Sequence, residues 1–501
     1  MPTPHYDRLS ALDATFLSIE DRDAHMHVGS VSRLDAKPFR TGAGGLDFER
    51  IEQALTQVIQ TYPRLRQKVW WPSGAAPVWV DDPHFDPSFH FRRAALPSPS
   101  GDPEFRNLVS SILSGALDLG KPLWEAWIIE GLEQDRFGIV WKIHHCLADG
   151  VSVRDILTSY LGLQPTTDLA PIEPFVPRPM PTLGRLRFEE TLRRLESTRQ
   201  TARRLAEYVE ESTVRSALAD AASGLIECGA NLLSTVSPTP LNGEVSRHRR
   251  FEWTSCSFET LRDVRKQTEA KVNDVVLTAL TGALRRFLLS RGTDVDDLHF
   301  RVMIPVSMRS DRPSAPGGNV ISNMIVPLPL YETDPRRRLR AVVAATTQAK
   351  ASGQVRVADA LLQAVDAFGM QFPRPLARIA ARQLPANLVV TNIPGPPLPQ
   401  YLLESELVDS YPVVPLSTGQ GLGVALYSYN GSMHWGFNAD RERIPDLAAL
   451  TEAVDLEVAE LHRAYSPIPI RSRPRLSALP GRSEPAPAAT TRTRRRVKRA
   501  Q

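Results

Sequence analysis

Hydrophobic residues along this chain recur with two different periods, and the two alternate from one segment to the next. In residues 47–60, Ile51, Leu55 and Ile59 fall on one face at helical spacing, which predicts an amphipathic helix. From Phe137 to Ile143, apolar residues instead occupy every second position, the period of a strand. Both kinds of element are therefore expected.

Segments with helical spacing are interleaved with segments of strand spacing along the whole chain. Helices are predicted at residues 9–20, 47–60, 103–115, 184–236, 272–291, 335–351, 355–368, 374–384 and 445–465, with a further helix capped by Ser257. Strands are predicted at residues 25–29, 77–81, 90–92, 123–130, 136–143, 299–305, 320–328 and 388–393, and a hairpin turned at Asn430-Gly431 at 421–438. Because helices and strands are intermixed in both halves, the predicted fold class is α/β or α+β.

Changes in composition predict the boundaries between parts of the chain. A first domain is expected at residues 1–165 and a second at 247–465. Between them, a Pro-rich stretch and a densely charged helix predict a linker at 166–246. Residues 466–501 consist mainly of Pro, Ala, Ser, Thr and Arg without periodicity, which is typical of a disordered tail.

The linker helix allows two interpretations. Phe188, Leu192 and Leu195 belong to an apolar stripe along a helix that is otherwise rich in charge. Such a stripe fits a connecting helix that packs on the two domains. It also fits a helix lying on a membrane surface, because its polar face is rich in Arg.

Composition and charge narrow the class of protein. Hydrophobic residues make up 42% of the 501 residues and charged residues 23%, which is ordinary for a soluble globular protein. No apolar run approaches the roughly 18 residues of a membrane-spanning helix, and no secretion signal pattern is expected at the N-terminus. The three cysteines have no metal-type spacing and are expected to be reduced thiols in the cytoplasm.

The net charge of +4 is unevenly distributed. Residues 466–501 carry +9, so the rest of the chain carries −5. A basic tail could bind anionic lipid headgroups, nucleic acid or acidic partners, or could simply be solvated.

The best candidate for chemistry lies where the strand at 136–143 gives way to a helical pattern. His144 and His145 follow the strand, with Cys146, Asp149 and Gly150 in the turn. A histidine in such a loop can act as a general base near neutral pH. From the residues alone, a structural loop histidine, a metal ligand and a Cys146 nucleophile remain open alternatives. A metal is disfavoured because adjacent histidines project in different directions and no nearby ligand pattern completes a site.

His144-His145-x-x-x-Asp149-Gly150 is similar to the HHxxxDG signature of the CoA-dependent acyltransferase superfamily. Further segments between residues 9 and 465 resemble the bacterial wax ester synthase/diacylglycerol acyltransferase (WS/DGAT) family of actinobacterial type. In chain order they are Leu9-Ser-Ala-Leu-Asp13, His25-Met-His-Val-Gly29, Pro122-Leu-Trp124, Leu241-Asn-Gly243, His248-Arg-Arg250, Asn273-Asp-Val-Val-Leu277, Pro305-Val-Ser-Met-Arg309, Gly318-Asn-Val-Ile-Ser-Asn323, Val390-Thr-Asn-Ile-Pro-Gly-Pro396 and the C-terminal hairpin.

The resemblance implies two chloramphenicol acetyltransferase-like domains with a tunnel between them, and it implies roles for individual residues. His145 corresponds to the catalytic base, and His144 to a supporting residue. Asp149 is expected to be structural and paired with an arginine, for which Arg309 is the candidate.

Three further residues are candidates for stabilising negative charge on the reacting carbonyl oxygen. They are Asn273, and Ser417 and Thr418 in Ser417-Thr-Gly419, a sequence that resembles a motif of carnitine and choline acyltransferases. Each could equally make ordinary turn or cap hydrogen bonds. Pro122-Leu-Trp124 could line an acyl tunnel or pack in the core.

The function implied by the resemblance is transfer of a long-chain acyl group from acyl-CoA to diacylglycerol, and also to fatty alcohols. Acyl-CoA is then a substrate, no cofactor or metal is expected, and nucleic acid is not an expected partner. The expected location is cytoplasmic, peripheral to the inner membrane or to lipid inclusions. Two alternatives are transfer to another bulky alcohol, such as a hydroxylated polyketide, and a non-catalytic lipid-droplet-associated protein.

Overall fold

The computed structural model describes residues 5–73, 76–148, 153–210, 236–307, 321–351 and 386–466. Met1–Tyr465 forms one compact unit and Ser466–Gln501 a second. Several predicted features lie outside the described residues: the tail beyond Ser466, the helices at 355–368 and 374–384, the linker helix beyond Glu210, Asp149 and Arg309.

The helical predictions within the described ranges are confirmed. The α-helices, α1 to α10 in chain order, are Ala11–Ile19, Phe48–Thr61, Pro87–His90, Asp102–Ser114, Val153–Thr158, Leu183–Glu210, Phe258–Lys266, Val272–Ser290, Pro335–Ala351 and Leu447–Tyr465.

The strand predictions are confirmed as well, and several strands appear that the pattern did not predict. The strands, β1 to β17 in chain order, are Asp7–Arg8, His27–Asp35, Gln67–Trp70, Val78–Asp81, Phe91–Ala95, Trp124–Leu132, Arg136–His144, Asn242–Gly243, Arg249–Ser257, Arg301–Ser307, Ile321–Pro327, Leu388–Pro394, Tyr401–Leu402, Ser405–Val413, Gly419–Gln420, Leu422–Tyr429 and Ser432–Asp440.

Helix α2 illustrates how the pattern becomes structure. Asp47 accepts a hydrogen bond from the backbone N–H of Arg50 at 3.1 Å and so caps the free N–H groups of the first turn. The predicted apolar face, including Ile51, Leu55 and Ile59, is buried. Burial of this stripe fixes the helix on the sheet behind it.

Two six-stranded sheets organise the molecule. The first has the strand order β13-β14-β2-β7-β6-β5, and the second has the order β11-β10-β12-β16-β17-β9. In the second sheet, the predicted hairpin β16–β17 turns at Asn430 and Gly431, whose φ angles of 42° and 77° are both positive. Asn-Gly is the pair that tolerates this turn.

The first sheet combines strands from both halves of the chain. Strand β14, at residues 405–413, pairs antiparallel with β2 at 27–35. Across this pair, Arg33 donates two hydrogen bonds to the carboxylate of Asp409, at 2.9 Å from Nε and 2.7 Å from Nη2. The C-terminal half therefore supplies an integral strand to the sheet that carries His144.

A hydrophobic cluster links the two sheets. Val31 and Phe105 from the first half pack in one cluster with Phe251, Trp253 and Tyr411 from the second. The rings of Trp253 and Tyr411 stack with centroids 5.4 Å apart. This cluster and strand β14 hold the two sheets together.

Candidate active site

The candidate site begins where strand β7 ends. His144 is the last residue of the strand, and His145 opens a 3₁₀ turn over His145–Ala148. The backbone N–H of His144 donates to the carbonyl of Leu123 at 2.9 Å, and that of His145 to the carbonyl of Met26 at 2.8 Å. Segments on both sides of β7 therefore fix the position of the two histidines.

His145 is partly buried, and its environment keeps it neutral. Its ring lies against Phe16 of α1, with centroids 4.0 Å apart. Its Nδ1 atom is buried without a hydrogen-bond partner among the described residues, although the residue as a whole is only partly buried. Burial, together with a smaller effect of the neighbouring His144, lowers the pKa of His145 to about 4. At neutral pH the ring is therefore able to accept a proton.

His144 is fully buried, and both of its ring nitrogens are hydrogen-bonded. Nδ1 accepts the backbone N–H of Cys146 at 3.1 Å. The proton of the neutral ring therefore resides on Nε2, which donates to Oε2 of Glu20 at 3.0 Å. This environment fits the supporting role expected for His144.

Cys146 lies in the same turn but is unsuited to act as a nucleophile. Its side chain is completely buried. Burial raises the pKa of its thiol well above the usual value, and the nearby carboxylates of Asp13 and Glu20 raise it further. A protonated, enclosed thiol lacks the thiolate that nucleophilic attack requires.

Glu20 is the residue that the sequence analysis did not single out. Its Oε1 atom lies 3.7 Å from Nδ1 of His25 and 3.9 Å from Nε2 of His27, while Oε2 accepts the hydrogen bond from His144. Burial alone would raise the pKa of Glu20, but the hydrogen bond from His144 and the nearby imidazoles of His25 and His27 hold it well below its usual range. Glu20 is therefore a carboxylate anion. It is bonded to His144, the residue directly before His145.

A signal for this cluster does exist in the sequence. His25 and His27 are two positions apart in an extended segment, so their side chains project from the same face. His25 precedes strand β2, and His27 opens it and pairs with His144 of β7. Only the register of that pairing identifies His144 as the neighbour, and the pattern of a single segment does not reveal the register.

Asn273 lies in the first turn of α8, in the second half of the chain. Its Oδ1 atom accepts a hydrogen bond from the side-chain amide of Asn392 on β12 at 3.3 Å. This contact orients the Asn273 amide so that its NH₂ group remains as a donor. Asn392 was not singled out from the sequence, although it lies in the segment Val390–Pro396 that carries the resemblance.

Ser417 and Thr418 lie in the loop between β14 and β15. The backbone carbonyl of Ser417 accepts the N–H of Gln420 at 2.9 Å, and Gly419 adopts a φ of +93°. Strand β15 pairs with β8, which ties this loop to the Leu241-Asn-Gly243 segment. In the described part of the chain, no hydrogen bond joins Asn273, Ser417 or Thr418 to either histidine.

Asp149 and Arg309 lie outside the described residues, so the pairing expected between them stays a prediction. Trp124 of the Pro122-Leu-Trp124 segment is fully buried. Its Nε1 donates to the carbonyl of Leu65 at 2.8 Å, and its ring stacks on His90 at 4.5 Å. The segment was expected either to line an acyl tunnel or to pack in the core. Trp124 packs in the core.

Comparison with known proteins gives matches over most of the chain. The family model for the wax ester synthase/diacylglycerol acyltransferase catalytic domain matches residues 9–276, and that for the WS/DGAT C-terminal domain matches residues 317–462. A protein of Mycobacterium tuberculosis named probable diacylglycerol O-acyltransferase is 31% identical over 468 residues, which cover 91% of this chain and 96% of that protein.

Solved structures agree with the sequence matches. The wax ester synthase/diacylglycerol acyltransferase from Marinobacter aquaeolei VT8 superposes with a TM-score of 0.64 at 25% identity, covering 91% of this chain and 99% of that one. Trichothecene 15-O-acetyltransferase from Fusarium sporotrichioides superposes with a TM-score of 0.55 at 12% identity, covering 91% and 95%. At that identity the second match concerns the fold alone, and it agrees with the predicted chloramphenicol acetyltransferase-like class.

Proposed function

The chain belongs to the wax ester synthase/diacylglycerol acyltransferase family, and on that basis we propose that it transfers a long-chain acyl group from acyl-CoA to diacylglycerol. It is an acyltransferase of this family, and its reaction yields an ester and free CoA. Fatty alcohols are a second acceptor class, since the family includes wax ester synthases. The observation that carries the proposal is a neutral, partly accessible histidine fixed at the end of β7 within the family's motif.

His145 acts in this reaction as the general base. As the acceptor hydroxyl approaches the thioester carbonyl, His145 takes the hydroxyl proton on Nε2, because its Nδ1 atom is buried. The acceptor oxygen bonds to the carbonyl carbon, the carbon–sulfur bond breaks, and the departing CoA thiolate takes the proton back from His145. No covalent acyl-enzyme is needed because the thioester carbonyl is already activated. Acyl-CoA is a substrate, so the transfer itself requires no cofactor.

Negative charge that develops on the thioester oxygen requires a fixed donor. Asn273 is the best supported of the three candidates, because Asn392 holds its Oδ1 atom and leaves its NH₂ group as the donor. Ser417 and Thr418 remain candidates through their hydroxyl groups. Two further features belong to the proposal and stay predictions. They are the tunnel expected between the two halves and the pairing of Asp149 with Arg309.

The direct test of the reaction offers purified protein palmitoyl-CoA with diacylglycerol in one reaction and hexadecanol in a parallel one. The expected result is release of free CoA in amounts equal to the triacylglycerol formed. Wax ester from hexadecanol would identify a second acceptor. Release of CoA with free palmitate and no ester, or no release with either acceptor, would contradict the proposal.

We also propose peripheral attachment to a membrane or lipid inclusion, which one face of helix α6 supports. Phe188, Leu192 and Leu195 recur there at positions i, i+4 and i+7 and are 64%, 50% and 60% exposed. On the other side of the helix, Leu186 and Glu190 are buried. The apolar face therefore stands away from the protein.

The charge beside this face favours an anionic lipid surface as its occupant. Arg185, Arg187 and Arg199 are exposed on the same helix, and the basic tail at 466–501 would add to the attraction. Substrates as apolar as diacylglycerol reside in bilayers or droplets, so attachment there places the enzyme beside its acceptor. None of the helices in the described ranges combines the length and apolar character needed to cross a membrane. Nucleic acid has no role in this proposal.

A further inference from the structure

Three side chains that the transfer reaction does not use converge beside the candidate active site. Glu20, His25 and His27 each present one ligand-type atom, and these atoms all lie within 4.8 Å of one another. Oε1 of Glu20 is 3.7 Å from Nδ1 of His25 and 3.9 Å from Nε2 of His27. The two imidazole rings stack with centroids 5.0 Å apart, so both present their edges to the same carboxylate.

This cluster is buried and incompletely satisfied. His25 is 6% exposed and His27 is 4% exposed. Neither ring nitrogen of His27 has a hydrogen-bond partner among the described residues. Buried polar atoms without partners are rare in folded proteins, and each one calls for a ligand or another explanation.

We propose that Glu20, His25 and His27 bind one divalent transition-metal cation of the zinc class. Two imidazoles and one carboxylate form a donor set that zinc accepts, with a water molecule as fourth ligand. Bond lengths of about 2.0–2.2 Å place the donors of a tetrahedral site about 3.3–3.5 Å apart. The observed 3.7 and 3.9 Å from Glu20 exceed this spacing by a few tenths of an ångström, and the two imidazole nitrogens, which lie within 4.8 Å of each other, would move together on binding.

The second oxygen of Glu20 provides the outer support that metal-binding carboxylates usually have. Oε2 accepts the Nε2–H of His144 at 3.0 Å while Oε1 faces the two histidines. The cation would thereby link the segment before β2 to the residue adjacent to His145. Its role is structural: it holds the turn, and no step of acyl transfer passes through it.

The test is a zinc titration of the full-length protein after removal of metals with EDTA. Competition with a chromophoric chelator is expected to give one zinc per chain, and zinc is expected to raise the melting temperature. His25→Ala and His27→Ala should each abolish the stoichiometric binding and the rise in melting temperature. His144→Ala should weaken binding by about 10–100-fold, because it removes the partner of the ligating carboxylate.

The matched control is His248→Ala. His248 also lies beside a carboxylate, Oε1 of Glu442 at 3.3 Å, but on the exposed surface, and its loss should leave zinc binding unchanged. If His27→Ala does not fold, His25→Ala gives the same answer, because His25 precedes the β2 ladder. Wild-type protein that binds no zinc, or that binds it equally after both substitutions, would overturn the proposal. So would zinc binding that His248→Ala removes.

Discussion

His145 is neutral at physiological pH because burial against α1, rather than a charged partner, sets its protonation state. In this respect it differs from His144, one residue earlier, which is tied through Nε2 to the anionic Glu20. The two adjacent histidines therefore have separate tasks. The partly exposed ring of His145 suits the proposed role of base, and the enclosed ring of His144 fixes the turn.

The pH dependence of the reaction should report the low pKa of His145. The base must be deprotonated to act, so activity is lost as the pH falls through its pKa of about 4. We expect kcat/KM to be level from pH 8 to about 5 and to fall with a midpoint near 4, instead of near the ordinary value of about 6.5.

Ester product is measured at each pH, and activity is checked again after return to pH 7 to exclude acid unfolding. A reversible fall of kcat/KM with a midpoint near pH 6.5 would contradict the lowered pKa of His145.

At the residue scale, the sequence located the motif but not its surroundings. The position of His144 and His145 at the end of a strand was predictable. The alternation of apolar residues at every second position ends at Ile143, and a turn follows. The link from His144 to Glu20 was not predictable, because these residues are 124 positions apart and are joined only through the pairing of β2 with β7.

Strand β2 is the element on which the site depends, since it lies between β7 and β14. Gly29 lies in this strand opposite Lys142. A Cβ atom added at Gly29 would lie 1.8 Å from the backbone carbonyl oxygen of Trp141. A backbone atom cannot move aside without disturbing the ladder that positions His144.

Gly29→Ala should therefore destabilise the protein. Overpacking of this kind typically costs about 1–3 kcal/mol, and each kcal/mol lowers the melting temperature by roughly 2–4 °C in a large domain. Thermal unfolding measures the effect.

The control is Gly42→Ala, where a Cβ atom would meet nothing within 4 Å, and its melting temperature should match that of the wild type. Equal melting temperatures for the two variants would show that β2 tolerates a side chain at this position.

Most elements followed from local periodicity, and one of the strands that did not, β14, shows why. The pattern did not predict β14 at 405–413, because Pro412 lacks an N–H group and Asp409 interrupts the apolar alternation. The structure accommodates both residues. A register irregularity separates Leu407 from Asp409, and Arg33 pairs with the Asp409 carboxylate. Such compensation comes from a distant strand and is absent from the local sequence.

At the scale of the whole molecule, the two halves are more interwoven than their composition indicates. The predicted boundaries at 165, 246 and 465 mark changes in sequence, yet β14 crosses into the first sheet. The cluster around Phe105 and Trp253 likewise draws on both halves. The proposed base His145, directly after β7, and the candidate donor Asn273 on α8 consequently belong to one compact unit.

The outward face of α6 should bind lipid surfaces. Fully burying a large apolar side chain is worth roughly 1.5–3 kcal/mol, so replacing Phe188, Leu192 and Leu195 together with Ser should reduce binding at least tenfold. Sedimentation with vesicles of phosphatidylcholine and phosphatidylglycerol measures the bound fraction, and binding should fall in high salt.

Leu289→Ser and Leu456→Ser serve as controls, since these leucines are 46% and 59% exposed on other helices. Undiminished vesicle binding by the triple variant would contradict the assignment of this face. So would a wild-type dimer that the triple substitution converts to a monomer without any vesicle binding.

The proposed reaction depends on transfer of the acceptor hydroxyl proton to His145. The most direct measurement is the rate of CoA release by His145→Ala with palmitoyl-CoA and diacylglycerol, alongside wild type and His248→Ala, which removes an exposed histidine. Loss of a positioned base predicts a rate lower by about 10²–10⁴-fold, with wild-type-like thermal unfolding and an unaffected His248→Ala variant. A folded His145→Ala protein that releases CoA at nearly the wild-type rate would contradict the account.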